Sequence, residues 1–386
     1  MTTTDSTVET TLSSLTSTDI RLTVSRETLL TPLQLVIGAV ERKQTLPILS
    51  NVLIQVKDQL SIIGTDLEVE LIGKQSLEHT SSPGAFTVPG RKLFDILKAL
   101  PEEAPIEMHS EKERVILRSG RSRFTLSTLP AQDFPQFEAN KKHLSFSLPH
   151  KDLLHLIQQT YFSMAQQDVR YYLNGMLFEA GSNSLRAVAT DGHRLATHKI
   201  TAVINEAARL QIIVPRKGII ELLRLLEEED REISVIIGSN FIKISDDRFT
   251  FTSKLIEGRF PDYNRVIPKS THKQVVIEGD ALKQALIRSA ILCNEKFRGV
   301  RFELREGLLR LSANNPEHEA AEEEITVEYH QGDLDIGFNV NYLLDILNAV
   351  PPGPITLSFT DNNSSALIET SGKDKEALFV VMPMRL

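Results

Sequence analysis

The sequence contains a single cysteine, Cys293, in 386 residues. An internal disulfide is therefore excluded, a reducing compartment such as the cytoplasm is expected, and Cys293 reads as a buried structural thiol. No run approaches the roughly 18 apolar residues that a membrane helix requires, so no membrane partner is expected. Signatures of chemistry are missing as well: there is no GxSxG, no GxxxxGK[ST], no GxGxxG and no HExxH. The acidic stretches, Glu317-His318-Glu319 with Glu322, Glu323 and Glu324, and the run from Glu227 to Asp230, read as solvated charge. Neither a metal nor a cofactor is expected. Residues 1–19 lack lysine and arginine and are mostly serine and threonine, which excludes a secretory or transit signal and suggests a disordered tail.

What is present is an ordinary globular balance, 41% apolar and 24% charged, with a net charge of −8. The length suits two to four domains. The acidic total argues against a wholly basic surface but leaves room for one basic face.

The strongest signal is repetition. Four markers recur in order at a period of roughly 125 residues, too long for a solenoid and right for duplicated domains. An alternating strand runs into an amphipathic helix from Leu22, Leu144 and Val275, with Glu27, His150 and Asp280 near the helix starts. A strand then ends at Thr65-Asp66, Thr190-Asp191 and Ala313-Asn314. A second helix follows from Val88, Val214 and Phe338, and carries Asp95, Glu221 and Asp345. Closing strands surround Phe124, Phe249 and Phe379. Two near-twin linkers, Phe134-Pro135-Gln136-Phe137 and Phe260-Pro261-Asp262-Tyr263, end the first two units. The fold class is therefore α+β: three tandem copies over 20–139, 143–265 and 272–386, each an antiparallel sheet with two helices on one face. Such triplication favours a binding scaffold. The best catalytic alternative is a hydrolase centred on Asp191 and His193, where the aspartate would orient the imidazole; the bland reading is a tight turn. A protein-interaction scaffold with no DNA role is the third reading.

Several longer segments resemble one family. They include Thr45-Leu46-Pro47-Ile48-Leu49, Gln167-Asp168-Val169-Arg170-Tyr171-Tyr172-Leu173-Asn174-Gly175, Thr190-Asp191-Gly192-His193-Arg194-Leu195, Gly258-Arg259-Phe260-Pro261-Asp262-Tyr263, Asn294-Glu295-Lys296-Phe297-Arg298-Gly299 and Val381-Met382-Pro383-Met384-Arg385-Leu386. From about Leu22 onward the chain resembles the beta subunit of bacterial DNA polymerase III, the sliding clamp family. The resemblance implies a homodimer ring of six clamp domains around double-stranded DNA, without sequence specificity and without catalysis. Implied partners are the replicative DNA polymerase alpha subunit, the clamp-loader complex, and other DNA polymerases and repair proteins.

The same resemblance assigns residues. Leu173, Thr190, Gly192, His193, Arg194, Leu195, Pro261, Val266, Val380 and Met382 would form a pocket for a partner peptide, with Arg170, Tyr172, Asn339, Tyr342, Pro383 and Met384 in an adjoining groove. DNA contacts would fall on Lys43, Gln167, Tyr171 and Tyr172; Lys43 departs from the arginine common in the family, keeping the charge but losing a bidentate fork. Helix cations Arg91, Lys92, Arg216, Lys217, Lys283 and Arg288 are further candidates to face phosphates. The dimer contact would pair Phe124 and Leu126 with Ile291 and Leu292.

Overall fold

The computed structural model of the protein describes residues 19–40, 46–77, 83–111, 113–137, 141–204, 209–370 and 377–385. Apart from Asp19, which opens the first strand, the Ser/Thr-rich tail lies outside the described residues, and so does Lys43.

The first repeat comprises β1 (Asp19–Ser25), α1 (Arg26–Val36), β2 (Asn51–Val56), β3 (Gln59–Thr65) and β4 (Val69–Ser76). It continues through β5 (Gly84–Pro89), α2 (Gly90–Ala99), β6 (Pro105–Glu111), β7 (Arg114–Ser119) and β8 (Ser122–Ser127). The second repeats that order: β9 (Lys142–Pro149), α3 (His150–Gln158), β10 (Gly175–Gly181), β11 (Ser184–Thr190) and β12 (Arg194–Thr201). Then come β13 (Leu210–Pro215), α4 (Arg216–Leu225), β14 (Glu232–Gly238), β15 (Phe241–Ser245) and β16 (Phe249–Lys254). The third opens with β17 (Lys273–Glu278), α5 (Gly279–Ala290), β18 (Gly299–Arg305), β19 (Leu308–Asn314) and β20 (Ala320–Thr326). It closes with β21 (Leu334–Asn339), α6 (Val340–Ala349), β22 (Pro354–Phe359), β23 (Ala366–Thr370) and β24 (Leu378–Val381).

Each repeat is thus a βαβββ motif written twice, with the opening strands exchanged: β1 pairs with β6 and β5 with β2, all antiparallel. The strands of one repeat are divided over two sheets, four strands to each, rather than forming one sheet as expected. Helix starts follow local chemistry. Ser25 caps α1 by accepting from the Thr28 N–H at 3.3 Å, and Glu27 and Asp280 occupy the positive first turns of α1 and α5. Pro32 lies inside α1, and its carbonyl would stand 2.4 Å from a Cβ at position 73, so Gly73 of β4 permits the close approach of helix to sheet.

Two compact units result. In the first (residues 1–147, Ile220–Leu225 and Glu232–Lys254), β4 joins β16, giving one eight-stranded sheet, β5-β2-β3-β4-β16-β15-β14-β9, beside the sheet β1-β6-β7-β8. In the second, β12 joins β24 in the sheet β13-β10-β11-β12-β24-β23-β22-β17, beside the sheet β20-β19-β18-β21. The largest described core of this unit lies in the third repeat, where Phe302, Phe338, Phe359 and Phe379 are all buried. Cys293 is buried there too, and burial pushes its thiol pKa up.

Candidate functional site

The second unit holds the site, built from three segments. The first is the β11–β12 turn. Its Asp-Gly pair suits a tight hairpin, and Gly192 takes φ +89°, a conformation L side chains rarely adopt. Asp191 Oδ1 accepts from the N–H groups of His193 at 2.9 Å and Arg194 at 3.0 Å, while Oδ2 accepts from Arg194 Nε at 3.0 Å. Thr190 closes the turn by donating its hydroxyl to the Arg194 carbonyl at 2.6 Å and accepting from the Gly192 N–H at 3.1 Å. The Asp191 carboxylate is therefore committed to its own turn and to Arg194, and no hydrogen bond joins it to the His193 ring. The hydrolase reading has no orienting group.

The second segment is the C-terminal strap. Strand pairing sets Arg194 opposite Val381 and Leu195 opposite Val380; beyond it, the Met382 N–H donates to the His193 carbonyl at 2.9 Å and the Met384 N–H to the Gly337 carbonyl at 2.8 Å. The third is the linker after β16, where Tyr263–Arg265 forms a 3-10 turn, followed by Val266.

Together they enclose an open cavity of about 720 Å³. Of the ten residues expected for the pocket, Thr190, Gly192, His193, Arg194, Leu195, Val266, Val380 and Met382 line it. Leu173 lies beneath, packed in a buried cluster with Leu195, Val380, Phe260 and Tyr263. Pro261 is exposed and is not among the lining residues. Val266 and Met382 present apolar surface at the mouth, 52% and 48% exposed. The cavity extends over residues the sequence reading missed: Arg265, Ile267, Pro268 and Lys269 on the linker, and Thr360 and Asn363 to Ser365 after β22. Nothing in the local sequence Asp361-Asn362-Asn363 ties that turn to this cavity.

Arg194 is both wall and brace. Its side chain is 11% exposed; Nη1 donates to Asp345 of α6 at 2.6 Å, Nη2 to the Phe162 carbonyl at 2.6 Å, and the guanidinium stacks 4.5 Å from the Tyr342 ring centre. Burial in this stack raises the Tyr342 phenol pKa. Of the six groove candidates, Pro383 and Met384 line a second, polar cavity of about 610 Å³ with Arg301, Asp335 and Asn362. The other four are placed differently. Tyr342 lies under Arg194, Asn339 caps α6 by accepting from the Asn341 N–H, Tyr172 meets Tyr171 edge-on at 5.7 Å, and Arg170 clasps Asp168. That clasp, Nε and Nη2 to the two carboxylate oxygens at 3.0 and 2.9 Å, holds the Asp168 pKa down at about 2.

The loop carrying Gln167 and Tyr171 is exposed but shaped. Asn174 clips it by accepting from the Asp168 N–H at 2.9 Å and donating to the Asp168 carbonyl at 2.8 Å, and Gln167 takes φ +56°. Among the helix cations, Arg288 is bound to Glu323 at 2.6 and 2.7 Å, so it is committed to β20. Of the interface candidates, Ile291 is 75% exposed, Phe124 and Leu292 are half-buried and Leu126 is buried. Among the described residues no cluster of three or more histidine, cysteine or carboxylate groups could hold a metal, and no helix is long and apolar enough to cross a membrane.

Three duplicated domains thus carry an open cavity of mixed apolar and polar lining, beside a turn whose Asp191 carboxylate binds Arg194 rather than the His193 ring; such an arrangement suits a binding scaffold. Residues 20–138, 147–262 and 264–385 match the N-terminal, central and C-terminal domains of the DNA polymerase III beta subunit. The beta sliding clamp of Pseudomonas aeruginosa is 54% identical over 365 residues, covering 94% of this chain and 99% of that protein. That of Escherichia coli is 52% identical over 367 residues, covering 95% and 100%. A crystal structure of the Pseudomonas aeruginosa DNA polymerase sliding clamp with ligand superposes with a TM-score of 0.92 at 53% identity, over 95% of this chain and 100% of that one. The chain belongs to the DNA polymerase III beta subunit family, the sliding clamps, which serve as processivity subunits and are not themselves catalytic.

Proposed function

We propose that two copies of this chain join head to tail into a ring of six clamp domains that encircles double-stranded DNA in the cytoplasm. One observation carries this reading. Each repeat ends its two sheets in one strand of the β4 type and one of the β8 type. Two such pairs are joined within the chain, β4 with β16 and β12 with β24, which leaves β8 and β20, of these six strands and among the described residues, without a partner from another repeat. Open edges of this length invite pairing, and a head-to-tail contact that closes gives a ring. Arg121 precedes β8 and Arg123 lies on it, while β20 carries Glu322 beside Glu323 and Glu324, which pair with Arg288 and Arg310; Glu322 is the acid there best placed to meet an arginine of the other edge. Exposed Ile291 at the end of α5 supplies the apolar surface that Phe124 of the other copy would cover.

A closed ring holds DNA by topology, so its phosphate contacts need only be weak, sequence-blind and salt-sensitive. Exposed Gln167 and Tyr171, with Tyr172 and Lys43, supply such contacts in this reading. The cavity then tethers extended peptides of the polymerase alpha subunit, the clamp loader, and other polymerases and repair proteins, their aliphatic and aromatic anchors seated against Leu195, Val266, Val380 and Met382. The flexible methionine lets one cavity accept several sequences. Sedimentation tests the closure: the native protein runs as a dimer, and a monomer at micromolar concentration overturns it.

A further inference from the structure

The linker wall of the cavity is anchored by the packing of Phe260, Tyr263 and Ile267 in a buried cluster and by one buried side-chain hydrogen bond. The Tyr263 hydroxyl donates to Glu179 Oε2 at 2.7 Å, and both residues are buried. Glu179 stands mid-strand on β10, opposite Gln211 of β13 and Arg186 of β11 in the register. The Gln211 amide donates to its other oxygen at 2.6 Å, and Arg186 Nε lies 3.8 Å away. The carboxylate is thus fixed in a row of polar side chains on the sheet. Around Tyr263 the turn's polar contacts are mainly its own: Arg265 pairs with Asp262 at 3.0 Å, and the Val266 N–H donates to the Tyr263 carbonyl at 3.1 Å. Beside the packing of Tyr263 and Ile267 in the buried cluster, the phenol is therefore the polar tie between the sheet and the turn that carries Val266. Burial and the bond to Glu179 push the phenol pKa up to about 12, so it remains a donor throughout the physiological range.

We infer that Tyr263 and Glu179 are positioning residues for peptide binding, a latch that fixes Val266 at the cavity mouth before a partner arrives. The inference rests on the cavity's role as a peptide pocket. A wall borne on a loop gives affinity only when its support is locked, because ordering it on binding would cost part of the interaction energy. The sequence signal, a tyrosine closing the Phe-Pro-Asp-Tyr linker, has no counterpart in the first repeat, where Phe137 lacks the hydroxyl and packs against Phe241 at 5.8 Å.

The test is a double-mutant cycle on the full-length protein, read by fluorescence anisotropy with a labelled short peptide carrying adjacent leucine and phenylalanine. Tyr263→Phe removes only the hydroxyl and should weaken binding roughly 3- to 10-fold. Val266→Ala should weaken it as well, and the double variant should be little worse than Val266→Ala alone, since the latch acts through that side chain. Glu179→Gln keeps an acceptor without its charge and should fall between wild type and Tyr263→Phe. Losses that simply multiply in the double variant overturn the latch, as does full affinity in Tyr263→Phe. If Tyr263→Phe does not fold, an unchanged affinity in Glu179→Gln overturns it equally. Unchanged affinity in Val266→Ala instead removes the pocket reading itself.

Discussion

Arg194 of the second repeat and Asp345 of the third meet at 2.6 Å, and the same guanidinium also holds Asp191 and the Phe162 carbonyl. One planar fork therefore ties the β11–β12 turn to α6. Lysine offers a point charge and cannot make three divergent contacts. Arg194→Lys should lower unfolding stability by about 2 kcal/mol, since lost bonds to charged partners are worth about 1.5–3 kcal/mol each and Asp345 is partly solvated. Urea denaturation followed at an unchanged slope checks this; an unshifted midpoint contradicts it.

Gly192 should resist replacement for a backbone reason. At φ +89° an alanine is strained, and its Cβ would lie 2.9 Å from Arg170 Nη2. Gly192→Ala should cost about 1–3 kcal/mol and weaken peptide binding by shifting the turn that forms the cavity wall. Calorimetry together with peptide anisotropy reads both effects, and wild-type values in both would show the turn to be unstrained.

The Arg170–Asp168 clasp makes a pH prediction. Asp168 titrates at about 2 in the folded chain, below its ordinary value of about 3.9. A depressed folded-state pKa contributes stability that is present above the unfolded value and is lost as pH falls through the folded one. The clasp should therefore persist at pH 4 and open toward pH 2. NMR titration of the Asp168 carboxyl should show its midpoint rising in Arg170→Ala; equal midpoints contradict the pairing.

Much of this fold was legible in the sequence because its signals are local. The acidic first turns at Glu27 and Asp280 and the Asp191-Gly192 turn lie where short-range chemistry set them. The division of each repeat over two sheets was not legible. It depends on pairs such as Leu22 with Met108, whose partners no local pattern can choose. The site shows the same limit. Thr190 to Leu195 and Met382 stand out by motif, whereas Thr360, Ser364 and Ser365 are ordinary polar loop residues whose place at the cavity is set by tertiary packing. Arg194, which the resemblance assigns to the pocket, lines the cavity, but its reach to Asp345, 151 residues away, has no local signal.

The edge-strand argument predicts that dimerisation is the easiest property to remove. Ile291→Asp places a charge on a side chain that is 75% exposed in the chain and would be covered in the ring. The fold should survive and the dimer should weaken at least about 100-fold, since burying an unpaired charge at an interface costs several kcal/mol. Analytical ultracentrifugation beside circular dichroism separates the two effects; a dimer of unchanged affinity moves the interface elsewhere.

The central claim is that DNA is retained by enclosure. The direct measurement loads the protein onto a nicked circular plasmid, isolates the complex by gel filtration, and then linearises half of it at a single site. Enclosure predicts that protein stays on the circles and runs off the free ends of the linear molecules, with Ile291→Asp retained on neither. Equal retention on circular and linear DNA would contradict the ring.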